Sequence, residues 1–172
     1  MLIKDFIPAN KFKFVEHEIA DISIIEIFPN QKIKKEELLD IALPIRMIVN
    51  NTETLPLSYD VTMIGYPHAS LFLSKIQSDL SAILIDSRTA SKKVKSISSL
   101  NNKPCEFIFL SNPSIQGMSG GPVFTSLQRT MTIGDASYYI GIIHGTNFDN
   151  TGGKLAMITP SNYVFEILEK IK

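Results

Sequence analysis

Net charge is the first thing this chain lacks. Seventeen lysines and arginines are matched by seventeen aspartates and glutamates, so the formal charge at neutral pH is zero. A dedicated nucleic-acid binder needs surplus basic charge to displace counterions from phosphate, and that class is excluded. The small basic cluster Lys92, Lys93 and Lys95 reads as a solvated loop. Cysteine is nearly absent as well. Cys105 is the single thiol, which rules out an internal disulfide, and its apolar neighbours in "CEFIFL" mark it as a buried structural group. No apolar run approaches the ~20 residues of a membrane-spanning helix. The opening "MLIKDFIPANKFKF" has neither the apolar middle nor the small-residue cleavage site of a secretory signal. A cytoplasmic location is expected only if Met1 is the true start. No cofactor and no metal site is expected.

What is present suits a globular domain. The chain has 172 residues, of which 44% are hydrophobic and 20% charged, enough for one large domain or two small ones with a real core. Most of it reads as short strands bounded by Gly, Asn, Ser and Pro. "KFKFVEH" (11–17) alternates, and "DISIIEIF" (21–28) is rich in β-branched residues. "KKEELLDIAL" (34–43) has helical spacing, and 44–56 reads as a connector. "VTMIGYP" (61–67), "DLSAILIDS" (79–87), "CEFIFLS" (105–111), "GPVFTS" (121–126), "YYIGIIHG" (138–145) and "KLAMITP" (154–160) follow as six strands of an antiparallel sandwich or barrel. The end is helical. Thr159 is placed to cap and Pro160 to open a helix whose Val164, Ile167, Leu168 and Ile171 share one face. Glu166 and Lys170, four apart, share another.

The stretch "NPSIQGMSGGPVFTS" (112–126) sets three glycines around Ser119 and closes with Pro122. Glycine serves where backbone must approach something closely or adopt a dihedral closed to other residues. The loop is therefore either a tight structural turn or the seat of a nucleophile with backbone N–H groups aimed at developing charge. Gly117-Met118-Ser119-Gly120-Gly121 also fits the G-x-S-x-G elbow of α/β-hydrolases. That elbow needs a helix directly after the serine, whereas Pro122–Thr125 reads as a strand, so the α/β-hydrolase reading is rejected.

Taken in order, these segments resemble the trypsin-like serine peptidases, in particular their bacterial HtrA-like branch. "ADISIIEI" is similar to the strand carrying the family's catalytic aspartate, which would be Asp21. "VTMIGYP" resembles the first strand of the second barrel and "QGMSGGPVF" the nucleophile loop. "YYIGIIHG" resembles the strand lining the specificity pocket, and "LAMITPSNYVFEIL" the last strand and terminal helix. The separation of Asp21 from Ser119 is also similar to the family's. The resemblance implies a double β-barrel, with Ser119 as nucleophile, Asp21 as orienting acid, and the N–H groups of Gly117 and Ser119 as oxyanion donors. It implies a polypeptide substrate bound by Pro113, Gln116, Ile143, His144 and Gly145. Met118 stands where the trypsin branch has the aspartate of zymogen activation, so activation by a new N-terminus is not expected. The pocket floor would lie near Pro113, with no acid there, which disfavours substrates carrying lysine or arginine.

The general base is what the resemblance leaves unfilled. The family's histidine lies tens of residues before its aspartate. Here only His17 precedes Asp21, and four extended residues span about 13 Å, too far for an imidazole–carboxylate bond. His17 therefore reads as a loop or strand-edge residue, His68 as a loop residue, and His144 as part of the strand beside the substrate. Residues 1–57 read as the remnant of an incomplete N-terminal barrel plus connector, and 58–172 as a complete six-stranded C-terminal barrel with its helix. Three accounts follow: a fragment of a longer protease, a degenerate homologue, or a chain completed by a partner or an upstream segment. The expected function is trypsin-like serine endopeptidase, inactive as this isolated chain. The alternative is a non-catalytic module of the same fold that binds peptides along Ile142–Gly145 by strand addition.

Overall fold

The computed structural model describes residues 14–25, 36, 39, 42–67, 82–98, 102–126 and 136–171. Its strands are β1 (Phe14–Glu16), β2 (Ser23–Ile25), β3 (Asp60–Gly65), β4 (Ile83–Arg88), β5 (Val94–Ile97), β6 (Pro104–Leu110), β7 (Pro122–Thr125), β8 (Tyr139–Phe148) and β9 (Lys154–Pro160). A terminal helix runs from Asn162 to Ile171. Glu36 and Leu39 are helical, in keeping with the pattern of 34–43, whereas Ala42 and Leu43 are not; the other residues of that segment, like 26–28, 79–81 and His68, lie outside the described residues.

β1 and β2 form a two-stranded antiparallel sheet, and the other seven pair in the order β4-β3-β7-β8-β9-β6-β5. The larger sheet curls. A bridge between Thr89 and Leu110, with Ala90 N–H donating to Phe109 O and Ser111 N–H to Arg88 O, draws the end of β4 against β6. This is the antiparallel, barrel-like arrangement that the strand pattern anticipates. It is stitched at one bridge, however, and among the described residues no continuous ladder closes it.

Strand alternation sorts the side chains onto two cores. Val61, Met63, Ile108, Leu110, Val123, Ile140, Ile143, Ala156 and Ile158 fill the inside of the curled sheet, together with Met118 from the serine loop. On the outer side, Cys105 and Phe107 of β6 meet Ala20 and Ile22 beside the small sheet, and Tyr163 and Ile167 of the terminal helix. This second core holds the β1–β2 sheet in place. Fully burying a large apolar side chain such as Phe107 contributes about 1.5–3 kcal/mol.

Two expectations are corrected. The basic cluster is a solvated loop only at Lys92, which is exposed in a bend. Lys95 belongs to β5, and the Lys93 side chain is only 14% exposed, its ammonium 2.9 Å from Glu106 and 3.2 Å from Glu53; burial acts to lower its pKa, but the two carboxylates together raise it. Thr159 and Pro160 do not start the helix. They end β9, paired with Ile142 and Gly141, because a ladder in the core outweighs a local capping preference; Ser161 stands before the helix, its hydroxyl given to Val49 O. Glu166 and Lys170 take separate partners. Glu166 takes His17 and Asn162, and Lys170 takes Glu18.

Candidate functional site

The serine loop is built by two turns and two strand contacts. Met118 N–H donates to Ile115 O at 3.0 Å and Gly121 N–H to Met118 O at 2.9 Å. Gly120 N–H then donates to Ile143 O, and Ile143 N–H to Gly121 O, each at 2.8 Å, which pins the loop to β8. Met118 drives into the core, 1% exposed, and anchors the turn from beneath. Two glycines make the path feasible. Gly117 has φ +94°, a conformation costly for any residue with a Cβ. A Cβ on Gly121 would stand 2.1 Å from the carbonyl oxygen of Ile64, so β3 passes too close for a side chain there. β7 follows at once, with no helix after Ser119, which removes the α/β-hydrolase geometry.

Ser119 is exposed at the tip of this turn. Its hydroxyl donates to the backbone oxygen of His144 at 2.9 Å. The N–H groups of Gly117 and Ser119 find no acceptor among the described residues. Two cavities flank the pair. One, about 670 Å³, is lined by Pro113, Gln116, Gly117, Ser119, Gly145 and Thr146, with Phe148 and Lys154 also on its wall. The other, about 460 Å³, is lined by Ile64, Gly65, Tyr66 and the loop from Gly117 to Pro122. The two walls of the larger cavity are tied together. Thr146 Oγ1 accepts from Ser114 N–H and donates to Ser114 O, both at 3.0 Å.

Of the residues expected to bind substrate, Pro113, Gln116 and Gly145 line the cavity beside Ser119. Ile143 is 1% exposed in the core and contributes backbone only. The ring of His144 is turned inward and packs on Phe107, with centroids 4.9 Å apart. Thr146, Phe148 and Lys154 join the wall without being expected there. Thr146 and Phe148 continue β8 at alternate positions beyond His144, a signal the alternation offers; Lys154 comes from the far side of a turn, and nothing local in the sequence marks it.

Asp21 sits on the turn that enters β2. The chain does not run extended from His17. It folds back, with His17 N–H donating to Ile22 O at 2.9 Å. His17 Nδ1 accepts from Ala20 N–H at 3.0 Å and Ile19 N–H at 3.3 Å. Nδ1 is then an acceptor, so Nε2 carries the proton and donates to Glu166 Oε2 at 2.9 Å. Both nitrogens are committed, and His17 is a loop histidine bound to the terminal helix. The Asp21 carboxylate is 43% exposed and its Oδ2 lies 3.5 Å from His144 Nδ1. Among the described residues, no histidine nitrogen bonds the Ser119 hydroxyl.

Neither a family model nor a curated protein sequence matches this chain. A solved structure does: the crystal structure of Rv3671c from M. tuberculosis H37Rv, a serine-to-alanine mutant in an inactive form, with a TM-score of 0.52. The match covers 95% of this chain and 67% of that one at 14% identity. A likeness at that identity shows the fold: a mainly β, protease-like architecture of antiparallel sheets with a C-terminal helix.

Proposed function

We propose that the chain carries a serine-endopeptidase site of the trypsin-like type, with Ser119 as nucleophile, Asp21 as the acid that orients the base, and Gly117 and Ser119 as oxyanion donors. The observation that carries this reading is the pair of uncommitted N–H groups at Gly117 and Ser119 beside an exposed serine hydroxyl. Attack by the Ser119 oxygen on a peptide carbonyl pushes negative charge onto the carbonyl oxygen. Each donor aimed at that charge contributes about 3–4 kcal/mol to the transition state. The histidine that takes the serine proton comes from outside the described residues, from an upstream segment or a partner chain. With no base at hand, the Ser119 hydroxyl donates a hydrogen bond to the His144 carbonyl and rests as a weak nucleophile. No carboxylate lines the cavity next to Ser119 among the described residues, whereas Lys154 does. Peptides with a basic side chain entering there are disfavoured.

A second reading is a non-catalytic module that binds a peptide by strand addition; the edge expected along Ile142–Gly145 is lost at Ile142 and Ile143, which pair with β9 on one side and with Pro122 and Gly121 on the other, so a peptide has only β8 from His144 onward. The Ser119–His144 carbonyl bond favours this reading, since the serine has an acceptor of its own. Peptide aldehydes separate the two, because an aldehyde adds to a serine oxygen and the matching alcohol does not. The peptidase reading expects an uncharged peptide aldehyde to bind at least about tenfold tighter than its alcohol, a difference of about 1.4 kcal/mol. Ser119→Ala should erase that difference. Equal binding of aldehyde and alcohol, unmoved by Ser119→Ala, selects the binding module.

A further inference from the structure

We infer that His144 is a positioning residue for Asp21: its ring holds one carboxylate oxygen while its backbone carbonyl holds the Ser119 hydroxyl. The role rests on the peptidase reading above; the contact itself does not. The device that makes it feasible is a bulge in β8. Ile143 faces Ile158 and Gly145 faces Met157, so His144 is the extra residue with no partner on β9. A bulged residue leaves the ladder and its side chain is re-aimed. Here the carbonyl is freed for Ser119 at 2.9 Å, and the ring goes inward, 10% exposed, toward Asp21.

The ring's own chemistry points to the same partner. His144 Nδ1 is buried with no hydrogen-bond partner. A buried polar atom left so forfeits its hydration without return. The nearest acidic group is Asp21 Oδ2, 3.5 Å away. That is just beyond hydrogen-bond length, and a few tenths of an ångström of side-chain motion closes it. The ring also packs on Phe107, which offers no acceptor. A proton on Nδ1 donated to Asp21 therefore satisfies both groups. The carboxylate is then held by one oxygen, and the other, without a partner among the described residues, stays open to solvent. A carboxylate so oriented is ready to receive the N–H of a second imidazole, the one that would act on Ser119.

The experiment uses the full chain and reads the ring directly. In ¹⁵N spectra of the neutral histidines, His144 is expected to carry its proton on Nδ1, and Asp21→Asn is expected to shift it to a mixture of both tautomers. Asn places a side-chain N–H close to the position of Nδ1, so His144→Asn should retain the wild-type carboxylate ¹³C shift of Asp21, whereas His144→Leu should lose it. A His144 tautomer on Nε2 in the wild type, or one on Nδ1 that Asp21→Asn leaves unchanged, overturns the inference. So does an Asp21 signal that is identical in His144→Leu and His144→Asn. The positioning role fails separately from the peptidase reading: a fixed Nδ1 tautomer together with aldehyde binding indifferent to Ser119→Ala leaves the contact standing and removes its catalytic meaning.

Discussion

Ser119, Gly117 and Gly121 show how one short sequence encodes a site through exclusion. Gly117 is needed for its positive φ and Gly121 for the carbonyl that passes behind it. A run of glycines around a lone serine is the visible trace of both constraints, so this part of the site is legible from residue types alone. His144 is not legible in the same way. Sequence places it in a strand, and alternation assigns it a face, but a bulge shifts the register by one and turns the ring inward. At the same scale, burial pushes the Cys105 thiol up, against the opposing effect of its contact with the Tyr163 hydroxyl. The thiol is thus neutral at ordinary pH, and the thiolate is the reactive form. Native protein should resist iodoacetamide at neutral pH and be labelled promptly once unfolded in denaturant. Rapid stoichiometric labelling of the native chain would show that the second core is open.

The turn from His17 to Ile22 and the terminal helix act as one element. His17 accepts two backbone N–H groups of the turn and donates to Glu166, its ring lying 4.7 Å from that of Tyr163. Asp21 is therefore set in place by a helix far away in sequence. Replacing His17 with Ala leaves the buried Ala20 N–H unpaired, and the expected loss is about 1–3 kcal/mol. For a chain of this size each kcal/mol is worth about 2–4 °C in Tm. A melting curve of His17→Ala superimposable on wild type would show the latch to be idle. Phe107→Ala should cost more, about 3–5 kcal/mol, because it empties the centre of the second core and removes the wall behind His144; denaturant midpoints of the two variants test the order. Strand positions are readable from alternation wherever one face is buried. β5 escapes that reading because all four of its residues are exposed and one is a lysine, leaving no periodic signal. The start of the helix is misleading for another reason: Thr159 and Pro160 are good capping residues held instead by pairing with β8.

For the molecule as a whole, the seven-stranded curled sheet supplies the serine loop and both flanking cavities, and the turn between the two strands of the small sheet supplies Asp21. With three histidines in the chain, the sequence offers Ser119 no recognisable base. The structure adds that His17 and His144 are each committed elsewhere, by a helix carboxylate in one case and by an inward-turned ring in the other. The chain on its own is expected to show no turnover of unstructured peptide substrates, since loss of a triad member leaves little of the catalysis. Vigorous hydrolysis abolished by Ser119→Ala would place a base within this chain after all. The central claim is that the amides of Gly117 and Ser119 form an oxyanion site, and the most direct test is to watch those two N–H groups. In ¹H–¹⁵N spectra recorded during titration with an uncharged peptide aldehyde, both resonances should move together and saturate at one ligand concentration, and Ser119→Ala should abolish the shift of Gly117. Saturable binding that leaves both amides unmoved would contradict the account.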